Sequence, residues 1–142
     1  MITEDYVSFE TAKLLKEKGF DGLCTAYYDC FTTDNFHCGN EPTDFNSIDT
    51  KIRNIVAAPT LQMTMKWLRE VQNIDIAIYA ENTFHGKRYS ASIWKDITRN
   101  SMKNDAVIVA GAITYEEACE AAIKYCLENL ILDPSENDAR QN

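Results

Sequence analysis

The sequence predicts an α+β fold: a two-layer domain in which an antiparallel β-sheet carries helices mainly on one face, in the order α-ββ-α-βββ-α. Three observations predict it. Apolar residues recur at helical spacing over Leu61, Met65 and Leu68 and again from Tyr115 to Leu130. Between these runs the period switches to two, with Ile74, Ile76 and Ile78 facing one way and Asp75, Ala77 and Tyr79 the other. Three consecutive strands joined by short connections most simply form an antiparallel meander.

The elements follow in chain order. Ser8, then Phe9, Ala12 and Leu15, then Gly19, has the N-cap, apolar stripe and glycine stop of a short amphipathic helix. Residues 24 to 38 are rich in β-forming types around a turn at Asp34-Asn35, which predicts a hairpin. Asn40-Glu-Pro-Thr-Asp is turn-forming, and Ile48, Ile52 and Ile55 leave a short helix or an irregular crossover open. Pro59-Thr60 announces the next helix, with Thr60 as N-cap and Thr64, Trp67 and Val71 widening its apolar face.

After the Ile74 strand, Glu81 to Arg88 is expected as a hairpin loop with Gly86 at the turn, leading into a strand through Tyr89, Ala91, Ile93 and Lys95. A polar loop from Arg99 to Asn104 precedes a third strand, Ala106 to Ala112. Thr114-Tyr-Glu-Glu has the form of a capping box, with the Thr114 hydroxyl on the Glu117 N–H and Glu117 reaching back to the Thr114 N–H. Tyr115, Ala118, Cys119, Ala122, Cys126 and Leu130 form the buried stripe of that helix, which Asp133-Pro134 stops. The first helix and hairpin are expected to extend the sheet or cover its edge. Residues 1–134 are expected as a single domain, and 135–142 as a flexible tail.

A chain of 142 residues, 45% of them hydrophobic, is long enough for one core and carries no long linker. Its acidic N-terminal residues lack the basic start of a secretory signal, and no apolar run approaches the roughly 20 residues that span a bilayer. A cytoplasmic protein without a membrane partner is therefore expected. Cys24, Cys30, Cys38, Cys119 and Cys126 are odd in number and show no CxxC spacing, so free thiols are expected and neither a metal site nor a cofactor. Cys119 and Cys126, seven apart on one helix face, are expected in the core.

The net charge is -8, yet residues 60–113 carry +2, so an anion would bind in the middle third. Helix, three strands, helix is also the order of a double-stranded RNA-binding domain, but such domains grip phosphate where this last helix opens with Glu116, Glu117 and Glu120. Duplex RNA is thereby excluded as a partner. Phe84-His-Gly-Lys-Arg-Tyr, followed by Trp94, combines cations with aromatic rings, a composition suited to a small nucleotide. His85, Lys87, Arg88, Tyr89 and Trp94 are the predicted ligand-binding residues; a plain solvated hairpin tip is the alternative. His37 and His85 have no nucleophile or carboxylate at catalytic spacing, and no G-x-S-x-G, H-E-x-x-H or P-loop occurs, so no enzyme is predicted.

Three stretches carry a resemblance: Ser8-Phe-Glu-Thr-Ala-Lys-Leu-Leu-Lys-Glu-Lys-Gly-Phe, Ala58-Pro-Thr-Leu-Gln-Met with Lys66-Trp-Leu-Arg-Glu-Val, and Thr114-Tyr-Glu-Glu-Ala through Leu130. Together they resemble uncharacterised small phage and prophage proteins of gut Bacteroidetes. The resemblance implies a phage-encoded accessory protein acting in the host cytoplasm. It implies origin rather than activity; from the phage context, one expected role is counter-defence, as a homo-oligomeric sponge that sequesters a nucleotide-type immune signal without catalysis. Two alternatives stay open: an acidic, nucleic-acid-mimicking inhibitor that binds a host protein, and a structural or accessory virion protein.

Overall fold

The computed structural model describes residues 1–32, 35–95 and 107–131. The predicted Asp34 turn position, the polar loop from Arg99, Ala106, the Asp133-Pro134 stop and the tail from Ser135 lie outside the described residues. The fold is α+β, with three α-helices and two three-stranded antiparallel sheets among the described residues. The chain divides into two compact units, Met1–Thr60 with Ile131, and Leu61–Leu130.

In the first unit, α1 (Phe9–Glu17) starts as predicted: the Ser8 side chain accepts the Thr11 N–H, and Ala12 and Leu15 are fully buried. It ends at Gly19, whose φ of 89° lets the Phe20 N–H turn back to the Leu15 carbonyl. Strands β1 (Cys24–Asp29) and β2 (Asn35–Thr43) form the predicted hairpin, but β2 runs on through Gly39 to Thr43, where a turn was expected. The register shifts between Cys24 and Ala26 to absorb the extra residues. Pro42 is tolerated there because β2 is an edge strand, so its missing N–H costs no ladder bond on the outer side.

A one-turn 3-10 helix (Phe45–Ser47) leads to β3 (Ile55–Ala57), which the sequence reading missed. β3 is three residues long and buried on both faces, so it has no alternation to detect. It occupies the second edge of β1, giving the order β2-β1-β3. With both edges of β1 taken, the hairpin forms a sheet of its own and does not extend the other one, which removes the first of the two placements expected for it. The Asn46 side chain ties the connection down, donating to the Phe20 carbonyl and accepting the Ala57 N–H at 3.0 and 2.9 Å.

In the second unit, α2 (Leu61–Val71) buries Leu61, Thr64, Met65, Trp67 and Leu68. Val71, expected on that face, is 58% exposed as the last residue of the helix, just before Asn73 reverses the chain at φ 56°. Strands β4 (Ile74–Thr83), β5 (Gly86–Lys95) and β6 (Val107–Ala112) form the predicted meander in the order β4-β5-β6. Both helices pack on this sheet, α2 against β4 and α3 (Tyr115–Asn129) against all three strands. The Thr114 hydroxyl caps α3 as predicted, accepting the Glu117 N–H at 3.1 Å. Glu117, however, reaches the N–H of Ile113, one residue earlier than the capping box predicts. Cys119 and Cys126 are fully buried in the α3 stripe. No helix among the described residues is long and apolar enough to cross a membrane.

Candidate functional site

Strand periodicity decides where the five predicted ligand-binding residues go. The β4–β5 register is unbroken from Ile74↔Lys95 to Thr83↔Gly86, so successive residues alternate between sheet faces. Lys95 donates to the Leu130 carbonyl at 2.6 Å and the Tyr89 ring meets Tyr115 edge-on at 6.1 Å, which puts the odd-numbered residues of β5 on the helix side. Lys87 belongs to the same face, its Nζ 5.2 Å from the centre of the Tyr89 ring. Arg88 and Trp94 take the opposite face, separated from each other by six residues of strand, about 20 Å.

Arg88 lies directly across from Glu81 and donates from Nη1 to the Lys87 carbonyl, while Trp94 lies across from Asp75. His85 sits in the two-residue turn Phe84-His85, its N–H on the Thr83 hydroxyl and its ring edge-on to Phe84. The sheet thus brings Lys87 and Tyr89 together, with Tyr115 beside them, and separates that group from Arg88 and from Trp94. The predicted loop is also shorter than expected, because the strands continue to Thr83 and from Gly86.

A second aromatic group, which the sequence reading did not single out, centres on Tyr27 of β1. The His37 imidazole stacks on it at 5.0 Å, Phe45 tilts against it at 4.8 Å, and Arg53 lies over the ring while donating to its hydroxyl at 2.9 Å. Tyr27↔His37 is a directly opposed strand pair, so this contact follows from the hairpin register. Arg53 arrives from the β3 side, and nothing in the spacing of 26 residues announces it.

A concave surface of the first unit lies along α1. An open groove of about 410 Å³ is lined by Lys13, Lys16 and Glu17 of the helix, by Cys30, and by Thr50, Asn54 and Val56 before and within β3. Lys13 and Lys16 are one helical turn apart, so both project toward the same strip of the groove. The Lys16 ammonium donates to the Ile55 carbonyl at 3.2 Å and Lys13 Nζ stands 4.6 Å above the Phe9 ring. An ammonium has three donors, so each keeps N–H groups for a ligand. Burial pushes the Cys30 thiol up, outweighing the nearby Lys16, and the thiol form prevails at neutral pH.

A smaller cavity of about 270 Å³ lies at the far end of α1, lined by Lys16, Gly19, Phe20, Asp21, Asp44, Asn46 and Ser47. The Asp44 Oδ1 atom there is buried and has no hydrogen-bond partner.

No family model, curated protein or solved structure matches the chain. Its functional reading therefore rests on its own geometry.

Proposed function

We propose that this protein is a non-catalytic binding protein for a small phosphate-bearing ligand of the nucleotide type, held in the groove along α1. The observation that carries this reading is the pairing of Lys13 and Lys16 on one wall of a groove of about 410 Å³. That volume falls in the range of small-molecule sites, which run from roughly 300 to 1,000 Å³. Two ammonium groups on adjacent turns match the spread charge of a phosphate or diphosphate. Thr50 and Asn54, which also line the groove, offer hydrogen-bonding groups to the remainder of the ligand, and Val56 offers apolar contact. Holding a ligand without turning it over fits the sequestering, counter-defence role expected of a small accessory protein in a phage context.

The test is calorimetric titration with ADP, NAD and cyclic dinucleotides of the wild type and of two paired variants. Binding lost in Lys13→Gln/Lys16→Gln and kept in Lys87→Gln/Arg88→Gln supports the groove. The reverse pattern moves the site to the β4–β5 hairpin. No heat with any compound sinks the nucleotide reading.

A further inference from the structure

The outer half of the β4–β5 hairpin is a two-stranded ribbon. β6 pairs with β5 from Ile93 as far as Tyr89, so among the described residues no third strand pairs with residues 81–88. Glu81, Asn82, Thr83, Phe84, His85, Gly86 and Lys87 are all exposed, which leaves both faces of the ribbon open to solvent. At its tip Phe84 is 100% exposed. Turn positions favour Gly, Pro, Asn, Asp and Ser for backbone reasons, none of which applies to phenylalanine. Apart from the edge-on contact with the neighbouring His85 ring, no described contact holds Phe84, which leaves its apolar surface available to a partner. Behind it the ribbon carries Lys87 and Arg88 against a single carboxylate, Glu81.

A surface of matching character exists on the chain itself. Between Gly19 and Thr50 the sequence holds six carboxylates and no Lys or Arg. Within that stretch the pairing Cys24↔Thr43 sets the segment after Asp21 beside the one that carries Glu41 and Asp44. Asp21 and Glu41 are exposed, and Leu23 between them in this patch is a 60% exposed apolar side chain. The small cavity lined by Phe20, Asp21 and Asp44, with its unpartnered carboxylate oxygen, adjoins them. The patch therefore combines apolar surface with an excess of negative charge, Asp21, Glu41 and Asp44 against the one Lys16 that lines the same cavity, as the ribbon combines Phe84 with positive charge.

We infer that two copies of this chain associate, the ribbon tip of one seated on the Asp21–Leu23–Glu41 surface of the other. Apolar contact from Phe84 and Leu23 supplies the attraction, and the opposed charges fix which surfaces meet. A nucleic-acid partner for the ribbon is disfavoured by the net charge of -8 on the chain that would approach it.

Sedimentation velocity over a range of protein concentrations tests this, with circular dichroism to show that each variant is folded. The wild type is expected to sediment as more than a monomer, and its association to weaken as salt is raised. Lys87→Glu/Arg88→Glu and Asp21→Lys/Glu41→Lys are each expected to be monomeric, and an equimolar mixture of the two to associate again. Phe84→Asp should weaken association at least tenfold, while Lys13→Gln in the groove leaves it unchanged. A wild type that stays monomeric, folded charge variants that still self-associate, or a mixture that remains monomeric overturns the proposal.

Discussion

The Tyr28 hydroxyl donates to the Val7 carbonyl at 2.7 Å, joining the central strand of the first sheet to the segment that enters α1. The Val7 N–H in turn donates to the Pro59 carbonyl, so this one residue is held from both sides. Tyr28→Phe keeps the ring, with its contacts to Phe9 and Phe36, and removes only the donor. It is expected to lower stability by about 1 kcal/mol, measured by urea unfolding, with faster amide exchange at Val7.

Leu68 is fully buried in α2, whereas Val71, one turn on, is 58% exposed. Leu68→Ala leaves a cavity and is expected to cost about 2–5 kcal/mol. Val71→Ala should change stability by less than about 0.5 kcal/mol. Equal effects in thermal unfolding would show that the helix face has been misassigned.

Gly86 holds φ at 106° behind the Phe84-His85 turn, a region that disfavours a side chain even where space exists. Gly86→Ala is expected to cost about 1 kcal/mol, although its Cβ would meet nothing closer than Arg88 Nη1 at 3.8 Å. Gly39→Ala, with negative φ and a nearest neighbour at 3.8 Å, is expected to be near neutral in the same denaturation assay.

Burial pushes the Cys126 thiol up to about 12, and burial with nearby Asp44 pushes Cys24 up to about 11, from an ordinary value of 9.0. A folded-state value above the unfolded one means that the folded chain holds these protons longer. Their stabilising contribution is complete below pH 9 and is lost as pH rises from there toward the folded values, by up to about 1.4 kcal/mol per pH unit for each thiol. Thermal stability should therefore fall above pH 9, and Cys126→Ala should flatten that decline while lowering stability at neutral pH.

Helices were legible where their signals are local. The Ser8 and Thr114 caps, the Gly19 stop and the centre of the α3 stripe all act within one or two turns of chain and stand where the sequence places them, whereas Tyr115 at the start of that stripe is exposed and Ile123 and Leu127 join its buried face. The β4–β5 alternation was equally legible, since a period of two needs only the strand itself. β3 was not: three consecutive buried residues become a strand only because the far edge of β1 is free to pair with them. The continuation of β2 through Pro42 likewise depends on its being an edge.

For the site, composition located the cations and aromatic rings of residues 85–94, but the pleat divides them, with Lys87 and Tyr89 on one face and Arg88 and Trp94 on the other. The groove along α1 joins residues as distant as Lys13 and Val56, which no spacing rule connects. By itself the sequence determined the α+β class, the start and stop of α1, the start of α3, the meander and the buried place of Cys119 and Cys126, because capping, periodicity and hydrophobicity are properties of neighbouring residues. Only the tertiary structure decided that there are two sheets rather than one, and which side chains share a cavity, because both depend on which strand edge or helix face a distant segment finds unoccupied.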